Sequence, residues 1–124
     1  MSTSMRKKLR IPLYEFDMVV MYDTWERNNK LIVGEDNTPL NKSTQARIFQ
    51  LKNGSVAVAF NSDVPSNTTL TDTILHESIH LGTCTLNHAG IPISYENDET
   101  LAYLVCWFNR KLNKMLKKYI KNQS

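Results

Sequence analysis

Residues 76 to 80 read His76, Glu77, Ser78, Ile79, His80, and the side chains best suited to chemistry concentrate there. Side chains four positions apart on an α-helix face the same way, about one turn from each other, so the two imidazoles can meet on one ion. Imidazole nitrogen suits Zn²⁺ at roughly 2.0 to 2.1 Å, and a catalytic site adds a third protein ligand while keeping one position open for water. Glu77 lies to the side of the pair, placed to take a proton from water without binding the ion. The plain alternative is a surface histidine pair with a glutamate beside it. Placement inside a helix that follows a β region favours the metal site.

The third ligand has to come from downstream, where His88, Glu96, Asp98 and Glu99 are the candidates. His88 stands twelve residues past His76, about 18 Å along one helix, and is out of reach. Glu99 opens the next helix after a loop in which the chain can reverse, so it is the expected ligand; the helix dipole alone would also favour an acid there. Tyr95 and Tyr103 could hydrogen-bond a tetrahedral intermediate or a ligand imidazole, and each has an ordinary reading as half-buried core. Cys84, one turn past His80, could offer a thiolate, although a small packed thiol is the commoner state for it and for Cys106.

Eighteen residues separate His80 from Glu99. With that gap the arrangement resembles the glutamate-ligand zincins, or gluzincins, in which two helix histidines and a later helix glutamate bind zinc. The stretch from Leu75 to Phe108, LHESIHLGTCTLNHAGIPISYENDETLAYLVCWF, more closely resembles short proteins encoded by bacterial viruses, which pair a His-Glu-x-x-His helix with Gly-Ile, Ser-Tyr and Glu-x-x-x-Tyr segments. The likeness covers about a quarter of the chain and says little about residues 1–70. It implies a minimal zincin-like fold, zinc on His76, His80 and Glu99, and a place in the cytoplasm of a bacterial host. Gluzincins commonly carry an acid four positions after the ligand glutamate to orient a histidine. Here that position is Tyr103, whose hydroxyl can do part of that work.

The elements that must position these residues read as β first, then α. Ile11 to Tyr22 is rich in β-branched and aromatic residues and suggests a strand, with a short second strand at Lys30 to Val33. Gln45 to Leu51 and Ser55 to Phe60 alternate like strands around Asn53-Gly54, a pair suited to a tight hairpin. Thr69 or Thr71 can cap a helix that Gly90 and Pro92 stop, and the histidine motif falls inside it. A second helix is expected from Asn97 or Asp98 to about Ile120, with Leu101, Val105, Phe108, Leu112, Met115 and Tyr119 on one stripe. The expected fold is therefore α+β: a small, mainly antiparallel sheet packed on the zinc-binding helix and a long C-terminal helix.

At 124 residues the chain is one domain, with residues 1–8 and 121–124 expected to be disordered. No apolar run approaches the roughly 18 residues needed to cross a membrane, and the basic N-terminus lacks the pattern of a secretory signal, so a cytoplasmic address is expected. Two cysteines are too few for a disulfide scaffold. Charge is unevenly spread: ten of the fifteen Lys and Arg residues lie in residues 1–10 and 110–124, while all twelve Asp and Glu lie between them. The chemistry expected is zinc-dependent hydrolysis of a peptide or protein, with Glu77 as base. Hydrolysis of another amide or ester is open to the same groups. The rival is a zinc-stabilised, virus-encoded interaction protein that binds a host protein or nucleic acid through its basic ends, although solvated lysines explain most such runs.

Overall fold

A computed structural model describes residues 5–11, 16–36, 39–63 and 68–122. The elements in order are β1 (Met5–Ile11), β2 (Phe16–Asp23), α1 (Trp25–Asp36), β3 (Ala46–Gln50), β4 (Val56–Asn61), α2 (Thr68–His88), a 3-10 turn (Tyr95–Asn97) and α3 (Asp98–Asn122). The strands form one sheet in the order β1-β2-β4-β3. Two pairings are antiparallel and the central one, β2 with β4, is parallel, so the α+β expectation holds and the sheet is mixed. Among the described residues no helix is long and apolar enough to cross a membrane.

The β3–β4 hairpin forms as its turn residues dictate. Gly54 takes φ +92°, a left-handed value that glycine adopts at little cost, and the Asn53 Oδ1 accepts a hydrogen bond from the Ser55 N–H at 2.9 Å. Leu51 N–H to Ser55 O, at 2.8 Å, closes the loop.

Three boundaries differ from the sequence reading. Residues 5–8, expected to be disordered, belong to β1, and residues 121–122 extend α3; residues 1–4 and 123–124 lie outside the described set. The single strand expected over Ile11 to Tyr22 is the end of β1 and most of β2. Lys30 to Val33 is helical, not extended. The apolar run Leu31-Ile32-Val33 resembles a strand, but only Ile32 is fully buried and Val33 is 38% exposed. The position one turn earlier on the buried stripe is Asn28, and its polarity hid the helical period. Its amide donates to Asp23 O at 3.1 Å and to Phe60 O at 3.0 Å, which ties α1 to the ends of β2 and β4.

The sheet separates two apolar layers. On one face Met18, Val20, Val58 and Phe60 pack against Ile74 and Leu81 of α2 and Leu104, Phe108, Leu112 and Leu116 of α3. On the other, Met21, Phe49, Ala57 and Ala59 meet Ile32 of α1 with Leu40 and Leu51. Strand alternation assigns each residue its side.

Two buried hydroxyls of α2 are satisfied within the helix: Ser78 Oγ donates to Ile74 O and Thr85 Oγ1 to Leu81 O. It ends at Gly90, φ +73°, with Ile91 N–H to Leu86 O and Gly90 N–H to Asn87 O, a Schellman stop. α3 packs against α2 at Gly82, where an added Cβ would lie 3.2 Å from Leu101 Cδ1 and 3.4 Å from Val105 Cγ2.

Candidate active site

Helix α2 carries three sequence-predicted residues and brings two of them together. His76 and His80 are exposed on α2, their rings at 65° and their Nε2 atoms 3.2 Å apart. That separation suits a hydrogen bond in which one ring donates. It is also close to the roughly 3.3 Å between two nitrogens held tetrahedrally at 2.0 to 2.1 Å from one ion. Spacing on the helix is therefore followed by rotamers that converge on one point.

Glu77 points the other way round the helix and is 7% exposed. Burial pushes its carboxyl above the ordinary carboxylate range, against the opposing pull of His76 and His80. The carboxyl opens on a cleft of about 400 Å³ between α2 and β3, lined by Ala46, Arg47 and Ile48 on the strand and Glu77, His80, Thr83 and Cys84 on the helix. Thr73 Oγ1 and the Gln45 side chain bond across the same junction.

The expected third ligand is not brought to the pair. Glu99 is exposed in the first turn of α3, and among the described residues no three His, Cys, Asp or Glu side chains gather where they could hold an ion. The reason is rotational. Gly82, which meets α3, lies two residues past His80, about 200° round the helix at 100° per residue, so α3 packs on the flank of α2 away from the histidine. Leu101, the α3 residue that meets Gly82, is likewise two residues past Glu99, and this turns the carboxylate away from α2.

The tyrosines also stand apart from the core reading given to them: Tyr95 is 92% exposed and Tyr103 is 64% exposed. Cys84 is half-buried in the cleft wall, and desolvation raises its thiol pKa, which argues against a thiolate. Cys106 is exposed, because the apolar stripe of α3 runs past it through Leu104 and Phe108.

Arg47 was not legible as a site residue, since a cation in an alternating strand reads as solvent face. Its place in the cleft depends on β3 being the edge strand beside α2, which is a fact of topology. Searches against protein-family models, curated proteins and solved structures each find no match.

Proposed function

We propose that the chain is a zinc-dependent hydrolase of peptide bonds, with His76 and His80 as metal ligands and Glu77 as general base. The observation that carries this reading is the convergence of the two Nε2 atoms to 3.2 Å beside a buried glutamate that opens on a cleft. Two nitrogens fit an ion, and the fit is partial until a third ligand joins them. Glu99 remains the candidate, and its recruitment requires the exposed first turn of α3 to rearrange. Zinc bound there would polarise a scissile carbonyl and draw the pKa of a bound water towards about 7.

The chain's own residues do the rest. Burial keeps Glu77 less acidic than a free carboxylate, so it can accept a proton from the attacking water and return it to the leaving amine. Strand β3 supplies alignment. Leu51 N–H bonds to Ser55 O and Asn61 N–H to Gln45 O, so the odd-numbered residues from 45 to 51 face β4. The N–H and C=O groups of Ala46, Ile48 and Gln50 consequently face outward, free to pair with an extended peptide beside Glu77. β4 is paired on both sides, so the edge is β3.

The test is zinc stoichiometry and peptide-library cleavage on wild type, His80→Ala, Glu77→Gln and Glu99→Ala. Expected are near-stoichiometric zinc in wild type and Glu77→Gln, cleavage in wild type only, and weakened zinc in His80→Ala and Glu99→Ala. Wild-type protein that holds zinc and cleaves nothing would overturn the hydrolase reading. Unchanged zinc affinity in Glu99→Ala would remove that residue from the ligand set.

A further inference from the structure

The two basic ends of the sequence, about a hundred residues apart, meet in space. β1 is the edge strand opposite β3, and the C-terminal half of α3 runs beside it. Between them lies a cleft of about 310 Å³ lined by Lys7, Lys111, Lys114 and Lys118, with Met115 and Tyr119 completing it. We propose that this cleft binds the phosphate backbone of nucleic acid.

Three observations carry the assignment. First, Lys7 occupies a position that strand alternation would make apolar: it shares a face with Met5, Leu9 and Ile11, all buried in the main core, yet it is exposed at the cleft. Edge-strand lysines that discourage strand addition would account for Lys7 alone. They do not account for a helix that presents three further lysines to the same space. Second, among the described residues none of the four ammonium groups meets a carboxylate; Lys111 lies 5.8 Å from the Trp107 ring centre, and the ion pair of β1 is Arg10 with Asp17. Gathering uncompensated like charges opposes folding, and a polyanion removes that cost on binding.

Third, the shape and chemistry suit phosphates more than a protein. From Lys111 to Lys118 the row extends about 10 Å along α3, the axial rise of about three base steps of a duplex at roughly 3.4 Å each. A protein partner would need apolar anchors at the centre of the patch. Among the described residues the exposed large apolar side chains, Val33, Leu75, Ile79, Ile93, Tyr95 and Tyr103, all lie outside this cleft, and its own Met115 and Tyr119 are half-buried. Lysines are hydrated point charges, suited to sequence-independent contact with a backbone.

The experiment is fluorescence anisotropy of the full chain with a labelled oligothymidine of roughly 20 nucleotides and with a duplex of the same length. Single-strand affinity should fall roughly fiftyfold between about 50 and 200 mM NaCl, as four phosphate contacts at a log–log slope of about −0.7 each require. Lys114→Glu combined with Lys118→Glu should weaken binding at least about tenfold, while Lys30→Glu with Lys52→Glu, an equal charge change elsewhere, should stay within about twofold. Circular dichroism checks the fold, and the Lys114→Gln, Lys118→Gln pair repeats the comparison if the glutamates unfold the chain. Zinc chelation should leave binding unchanged, so this result is separable from the hydrolase reading. Equal losses in the two charge-matched pairs, no binding at low salt, or equal competition by polyglutamate would overturn the proposal.

Discussion

The two edges of the sheet are built alike and lined differently. At each, a helix meets an edge strand on the same face of the sheet, and the junction is left as a cleft lined by polar side chains: β3 with α2 at one edge, β1 with α3 at the other. At the β3 edge the ionisable group is buried, and desolvation changes what Glu77 is as an acid. At the β1 edge Lys7, Lys111, Lys114 and Lys118 are exposed, and what they offer a partner is positive charge. On the two proposals, burial would supply reactivity at one edge and exposed charge would supply affinity at the other.

The largest effect that would sharpen this contrast is kinetic. Glu77→Gln is expected to lower kcat by about 10³-fold with zinc content unchanged, whereas Lys118→Gln leaves kcat where it was. Steady-state cleavage of one peptide by both variants checks it, and equal losses would erase the difference between the edges. Next is a change that strikes both at once. Phe108 is fully buried in the layer that joins α3 to α2 and the sheet, and Phe108→Ala should cost about 3–5 kcal/mol of stability by urea denaturation. Activity and oligonucleotide binding should then be lost over the same urea range, because the two clefts rest on one core.

Much of the first edge was legible in the sequence and little of the second. His76, Glu77 and His80 are local, and a helical repeat alone brings the two rings together and turns the glutamate aside. The hairpin and both long helices were equally visible, since Asn53-Gly54, Gly90 and the apolar stripe of α3 act within a few residues. What failed was non-local. Glu99 has a suitable spacing from His80, but spacing along a chain does not say on which flank of α2 the second helix packs, and Gly82 decides that. Helix α1 was hidden by Asn28, a polar residue at a buried position that is satisfied by the carbonyls of two strands. The basic cleft depends on β1 lying beside α3, a pairing of elements from opposite ends of the chain.

A smaller effect tests whether β3 is used as an edge at all. Ala46 N–H faces outward, so Ala46→Pro removes one donor available to a substrate without removing a bond to β4. KM for an extended peptide should rise about fivefold, the worth of one hydrogen bond near 1 kcal/mol, with kcat little changed. Unchanged KM would mean that the substrate does not pair with β3.

The smallest expected effects separate the edges by what each responds to. In chelator-treated protein both Glu77→Gln and Lys114→Gln should raise Tm: the first removes a carboxylate held in a desolvated site, the second one of several crowded cations. The lysine effect, less than about 0.5 kcal/mol, should vanish at about 1 M salt, where screening acts within about 3 Å. The Glu77 effect should survive salt and respond to pH. Because its folded pKa is raised, ionised Glu77 costs stability above that pKa, and the cost disappears as pH falls and wild type becomes neutral like the glutamine. A Glu77→Gln gain that faded with salt and ignored pH would place the carboxyl in solvent, and the chemical distinction between the two edges would fail with it.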